Sequence, residues 1–319
     1  MDIIHKEYVY SSTTGIGDIY AQSWIPANSS DVKAVFQIIH GMAEHGDRYK
    51  EFATFLCSNG YAVFVNDHVG HGKSVSSDSE LGYFGERDGW IGFVNDAKLL
   101  TDIAKSEYPG RPIILFGHSM GSFVARYYAE KFWSDISGAI FSGTSGTNPA
   151  AGVGIAVASL SAKLYGSKHR SNFINKLAFG SYNKHVGKVR TEFDWLSRDE
   201  AEVDKYIKDD KCGFLFTSAG YRDMFKILKA VSSPAWYKSI PFSLPILLVS
   251  GEMDPVGEYG KGVRQVASDL KSSGHRDVSM KLYKNMRHEI LNEIDRKDVF
   301  YDLLAWSDSV VNRGTEKQQ

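Results

Sequence analysis

The sequence predicts an α/β fold: a mostly parallel central sheet flanked by helices, with a helical cap inserted into it. Three observations point there. Short apolar runs of strand length alternate with segments of helical periodicity over most of the chain. A Gly-x-Ser-x-Gly turn, Gly117-His118-Ser119-Met120-Gly121, lies between one such run and one such segment. The alternation then stops from about Thr147 to Ile240, where helix-like segments follow one another without a convincing strand.

Composition bounds the answer. The 319 residues, 43% hydrophobic and 24% charged, suffice for a large core. A formal net charge of −1 gives no steering toward nucleic acid, so no nucleic-acid partner is expected. Cys57 and Cys212 have neither C-x-x-C spacing nor a disulfide framework, and are read as buried or half-buried thiols of a reducing compartment. Met1 to Glu7 holds no apolar leader segment and no apolar run reaches membrane-spanning length, so a cytoplasmic protein is expected.

In chain order, Lys6–Ser11 and Ile19–Trp24 read as strands joined by the Thr13–Asp18 turn. Val32–Ile39 is the next strand and runs into His40-Gly41-Met42-Ala43-Glu44-His45-Gly46. A glycine just past a buried strand lets the backbone turn and offer its N–H groups. Arg48–Asn59 is an amphipathic helix closed by Gly60, and Tyr61–Asn66 is a strand. Asp67 to Ser74 ends in Gly-Lys-Ser, but Asp67 replaces the first glycine of a phosphate-binding loop, so this turn is read as a brace for the preceding loop. A helix over Asp88–Tyr108 is stopped by Pro109-Gly110. Arg111–Phe116 suits a buried strand, Ser122–Lys131 a helix, and Ile136–Ser142 a further strand.

The chain is therefore divided into a first core part, 1–146, a helical cap, 147–240, and a second core part, 241–319. Cap helices are expected at Gly152–Leu164, Asn172–Phe179, Asp199–Lys208 and Ala219–Val231. Its large apolar residues, Leu160, Leu164, Phe173, Phe179, Phe193, Trp195, Phe214, Phe216 and Phe225, are expected mostly in the cap's own core, with a few lining an acyl tunnel. The sheet resumes at Leu244–Ser250 and turns at Gly251–Gly257. A helix over Glu258–Ser273, a strand over Val278–Tyr283, a loop through His288 and a helix over Arg296–Val311 follow, with a fraying tail from Arg313 to Gln319.

Chemistry enters at Ser119, which needs a base to take its proton and an acid to orient that base. A serine on a sharp strand-to-helix turn stands clear of the sheet, and the Met120 N–H that opens the helix points where an oxyanion forms. The second oxyanion donor is assigned to the N–H of Met42, in the loop after the third strand. In α/β-hydrolases the acid and then the histidine follow the serine along the chain. Asp254, in a tight turn before Pro255, is preferred to Glu252 as the acid. Of the histidines after it, His275 precedes the last strand and His288 follows it, which puts His288 at the catalytic edge. His40, His68 and His71 lack a metal-binding carboxylate–histidine spacing and are read as loop braces, and His118 as a packing residue.

With these residues in view, the chain resembles the monoacylglycerol lipase and lysophospholipase branch of the α/β-hydrolases. His40 to His45 with Arg48-Tyr49 resembles that branch's HGxxEHxxRY stretch, Asp67 to Ser74 its DHxGHGxS loop, and Gly117 to Gly121 its GHSMG elbow. The Gly251–Gly257 turn and Arg287-His288-Glu289 match its acid and histidine positions. Two places depart from it: Ser122 stands where the lipases usually carry a second glycine, and the cap run from Arg190 to Asp199 looks more like that of bacterial homologues called lysophospholipases.

The resemblance implies a serine hydrolase with the triad Ser119, Asp254 and His288, acting on a small acyl-ester substrate of the monoacylglycerol or lysophospholipid type. It implies no metal or organic cofactor, and it allows transient contact of the cap with a membrane surface. A short-chain carboxylesterase or peptidase-like hydrolase is the alternative. A non-catalytic binding protein on the same fold is disfavoured because all three triad residues are present.

Overall fold

The computed structural model describes residues 2–316. Eight strands form one sheet: β1 (Ile3–Ser11), β2 (Asp18–Pro26), β3 (Ala34–Ile39), β4 (Tyr61–Asn66), β5 (Ile113–His118), β6 (Gly138–Ser142), β7 (Ile246–Gly251) and β8 (Val278–Tyr283). Their order is β1-β2-β4-β3-β5-β6-β7-β8. β2 is antiparallel to both β1 and β4, and every other neighbouring pair is parallel.

The parallel strands are linked by helices that cover both faces of the sheet. These are α1 (Lys50–Ser58), α2 (Gly89–Glu107), α3 (Met120–Lys131), α9 (Lys261–Ser272) and the closing α10 (Arg296–Glu316). Double coverage explains why β3 to β7 read as continuous apolar runs: every residue in them is buried. One face packs on α1 and α10, with Phe36 edge-on to Phe52 at 5.6 Å and Phe52 against Phe300 at 4.9 Å. The other packs on α2, α3 and α9, around Leu100, Val124 and Val266.

Between β6 and β7 the chain adds no strand to the sheet. It contains α4 (Ala151–Tyr165), α5 (Asn172–Phe179), α6 (Glu200–Lys208), α7 (Ser218–Val231) and the short α8 (Trp236–Ser239). This insertion shares its interior with the core: Ile174, Phe216 and Ile227 belong to the same buried cluster as Leu115 and Phe141 of the sheet. Arg126, buried on α3, fixes both of its connections. Its guanidinium donates to Ser145 O at 2.9 Å on the way in and to Val231 O on the way out, and lies over Trp236 at 4.3 Å. Burial pushes its pKa down to about 10.

Three expectations shift at element ends. The helix expected from Glu258 begins only at Lys261, because Glu258, Tyr259 and Gly260 have φ of 49°, 57° and 83° in the left-handed region. The Tyr259 N–H is turned back to Asp254 O at 2.8 Å instead. The helix expected from Arg48 opens with a 3₁₀ turn, Gly46–Tyr49, and becomes α-helical at Lys50. The last helix continues to Glu316, past the Arg313 where fraying was expected, and residues 317–319 lie outside the described residues. No helix among the described residues is long and apolar enough to cross a membrane.

Candidate active site

The turn that carries Ser119 is built by close backbone approach. Ser119, between β5 and α3, has φ 53° and ψ −122°, a conformation costly for any residue with a side chain. Its N–H bonds to Ser142 O of the next strand at 2.9 Å. A Cβ on Gly117 would lie 2.3 Å from Gly121 O, and one on Gly121 2.2 Å from Ile39 O, so neither position accepts a side chain. Ser122 instead directs its hydroxyl to Ser119 O at 2.6 Å, adding a bond to the elbow that a glycine lacks.

His288 and Asp254 meet. His288 Nδ1 is 2.9 Å from Asp254 Oδ1, with both side chains buried. Asp254 Oδ1 also accepts the Val256 N–H at 2.8 Å, and its Oδ2 the Ser250 hydroxyl at 2.8 Å. Burial opposes the charge on Asp254, but His288 and these donors outweigh it and hold the carboxyl below its ordinary value. Burial likewise opposes charge on His288, and Asp254 outweighs it, so the imidazole sits above its ordinary value. Glu252, the rival acid, is partly exposed and takes no part in this bond. His275 bonds to Tyr237 O at 2.8 Å, elsewhere in the fold. Ser119 and His288 line one cavity of about 920 Å³ between the sheet edge and the insertion.

Met42 and Met120 line the same cavity. Met120 is the first residue of α3, where amides have no intrahelical acceptor. Among the described residues, the Met42 N–H has no protein acceptor either. Gly41 allows this loop to lie against the elbow: a Cβ there would be 3.2 Å from Ser119 Cβ and 2.7 Å from Glu44 Oε1.

Sequence reasoning left Glu44, Arg48 and Glu289 as motif letters without a role. In the structure they form one buried bridge. Glu44 accepts the Gly41 N–H at 2.5 Å and the Tyr49 hydroxyl at 2.8 Å. Arg48 donates to Glu44 at 2.6 Å and grips both oxygens of Glu289 at 2.7 and 2.6 Å. Burial raises Glu289, but Arg48 outweighs it and brings its pKa down to about 2. The loop that carries Met42 is thereby tied to the residue after His288.

His40, His68 and His71 brace the neighbouring loops. Burial, then their proximity to one another, holds His40, His68 and His71 well below their ordinary value. The His68 N–H donates to His40 Nε2 at 3.0 Å, and Asp67 receives the Gly46 and Lys73 amides at 2.7 Å each. His118 lies 4.6 Å from the His288 ring, and burial and that neighbour push it down to about 3. His45, Asp209 and Cys212 are close enough to share a metal ion, but His45 and Asp209 already bond at 2.9 Å, and burial pushes the Cys212 thiol up, away from the thiolate a metal needs.

The expectation about the insertion's apolar residues holds in part: Phe216 is in the buried core and Phe179, Phe193, Trp195, Phe214 and Phe225 pack against buried clusters. Of its nine large apolar residues named above, only Phe216 is fully buried. Phe179, Phe193, Trp195, Phe214 and Phe225 line the cavity, while Leu160, Leu164 and Phe173 are exposed. The insertion's own interior is small, a cluster of Leu196, Tyr206 and Cys212 with Phe193 and Trp195 against it, so most of its large apolar side chains face the cavity or solvent.

Residues 30–295 match the family described as Serine aminopeptidase, S33. The chain belongs to this family of α/β-hydrolases. Within it, the chain is 28% identical over 304 residues to a monoacylglycerol lipase of Mycolicibacterium smegmatis, covering 94% of this chain and 96% of the relative. It is 28% identical over 294 residues to human monoglyceride lipase, covering 90% and 86%. Among solved structures, a thermostable carboxyl esterase from Bacillus coagulans in complex with glycerol superposes with a TM-score of 0.90 at 28% identity, over 97% of this chain and 100% of that one.

Proposed function

We propose that the protein is a serine hydrolase that cleaves the ester of single-chain lipids of the monoacylglycerol type. The observation that carries this is the buried His288–Asp254 pair sharing one large cavity with the strained Ser119, under an insertion that lines the cavity with apolar side chains. Relatives that cover nearly the whole chain are named for monoacylglycerol hydrolysis, which supports the same substrate class.

In this reading residues 147–240 form the cap. Ser119 attacks the ester carbonyl while His288 takes its proton, and Asp254 holds the imidazole in orientation and stabilises the imidazolium. The Met42 and Met120 N–H groups stabilise the tetrahedral oxyanion. His288 returns the proton to the departing alcohol, and water, activated by the same imidazole, releases the fatty acid from Ser119. Phe179, Met224, Phe225 and Leu228 supply the apolar wall an acyl chain needs. Exposed Leu160, Leu164 and Tyr165 on α4, with Phe173 and Leu177 on α5, support transient contact of the cap with a lipid surface. The two free thiols support a reducing, cytoplasmic setting.

The test is a panel of p-nitrophenyl esters from acetate to palmitate, with monoacylglycerol, lysophosphatidylcholine and an aminoacyl nitroanilide, using Ser119→Ala as control. The reading requires preference for medium or long acyl chains, activity on monoacylglycerol and an inactive control. Cleavage confined to acetate and butyrate would replace it with a short-chain esterase, and cleavage confined to the nitroanilide with a peptidase.

A further inference from the structure

The run Arg190-Thr191-Glu192-Phe193-Asp194-Trp195-Leu196-Ser197-Arg198-Asp199 belongs to the cap in sequence, yet its closing half is bonded to the loop that carries His288. The His288 N–H points to Trp195 O at 3.4 Å, and the Glu289 N–H donates to Leu196 O at 2.7 Å. Arg287 donates to Asp194 O at 2.6 Å and to Ser197 O at 2.8 Å. The Ser197 hydroxyl donates to Asn292 O at 2.8 Å. Glu293, with no exposed side chain, receives Arg198 Nε at 2.8 Å and the Arg287 N–H at 2.8 Å, so one carboxylate joins the run to the residue before His288. The Trp195 ring packs on the imidazole at 5.1 Å. The run is also braced on itself: Asp194 receives the Arg190 and Thr191 amides and the Thr191 hydroxyl.

We propose that Asp194–Arg198 is a strap by which the cap positions the catalytic histidine, with Arg198 and Glu293 as positioning residues. This rests on the reading of His288 as the base. The core holds the same loop from the other side, through Arg48 on Glu289 and the Met253 N–H on Met286 O at 2.9 Å. The imidazole is therefore set between two clamps, one of which is cap. One consequence follows: weakening the strap harms the chemical step even for an ester too small to need the cap.

That consequence makes the test. Hydrolysis of p-nitrophenyl acetate is measured for wild type, Arg198→Met, Arg198→Lys, Glu293→Gln and His288→Ala, with Arg190→Met as control, since Arg190 pairs with Asp204 on the surface. A displacement of the base by about 1 Å costs on the order of a hundredfold in rate. We expect Arg198→Met and Glu293→Gln to lower kcat by roughly 10- to 100-fold with KM little changed, Arg198→Lys to recover most of it, and Arg190→Met to match wild type. The downfield proton resonance of the His288 Nδ1–H bond should broaden in Arg198→Met. If Arg198→Met does not fold, as judged by its thermal melt, Ser197→Ala, which loses one bond only, is read the same way. Unchanged kcat on the acetate in Arg198→Met and Glu293→Gln would overturn the strap and leave the run a wall of the acyl site. If His288→Ala retains wild-type activity, the triad reading itself fails, which is a separate result.

Discussion

Replacing Arg48 by methionine removes the centre of the buried Glu44–Arg48–Glu289 bridge while keeping most of the side-chain volume. Arg48 and Glu289 are 10% and 6% exposed, so solvent replaces little of what is lost. A carboxyl titrating at about 2 in the folded protein and near ~4.3 in the unfolded chain favours folding by roughly 3 kcal/mol at neutral pH. Breaking a buried ion pair by removing one partner costs about 3–5 kcal/mol, which agrees. Because the folded value is depressed, this contribution is complete above the unfolded pKa and is lost as pH falls toward the folded one; by pH 3.5 roughly 2 kcal/mol remains. Urea denaturation of wild type and Arg48→Met at pH 7 and pH 3.5 should show a gap of about 3–5 kcal/mol that narrows on acidification. A gap below about 1 kcal/mol at pH 7, or one that does not narrow, would refute the account of the bridge.

Other outcomes follow from the site. Ser119→Gly should be more stable than Ser119→Ala by about 1–3 kcal/mol in the same assay, because glycine relieves the strain of the positive φ. The acid limb of kcat/KM should have its midpoint above ~6.5, since His288 must be neutral to act and Asp254 raises its pKa; Asp254→Asn should move that limb to lower pH and cut kcat by several orders of magnitude. Gly41→Ala should lower kcat with little effect on KM, as its Cβ would press on Glu44 and Ser119 and displace the Met42 amide; steady-state kinetics on a p-nitrophenyl ester decide this.

What the sequence revealed depended on range. The central strands β3 to β7 were legible because burial on both faces makes them nearly unbroken apolar runs, and β4 falls at the expected residues; β8 does too, although most of its residues are exposed or half-buried. The elbow was legible because its two glycines answer a local steric demand. Chain order and strand edge pointed to His288, and the tight turn before Pro255 to Asp254; the structure brings the two into contact. The start of α9 was not legible, because left-handed Glu258 and Tyr259 are ordinary helix formers whose conformation is dictated by the Asp254 turn. The bridge from Arg48 to Glu289 spans 241 residues, and the one from Arg198 to Glu293 spans 95; no local pattern announces either. The inserted segment's apolar residues were not sorted by the sequence, because composition does not distinguish a side chain facing a core from one facing a cavity or solvent.

The most direct measurement is glycerol release from a long-chain monoacylglycerol by wild type and Ser119→Ala, with each protein's fold checked by circular dichroism. The account predicts steady release by wild type and none above background by the variant. Release by folded Ser119→Ala at the wild-type rate, or none by a wild type that hydrolyses other acyl compounds, would contradict it.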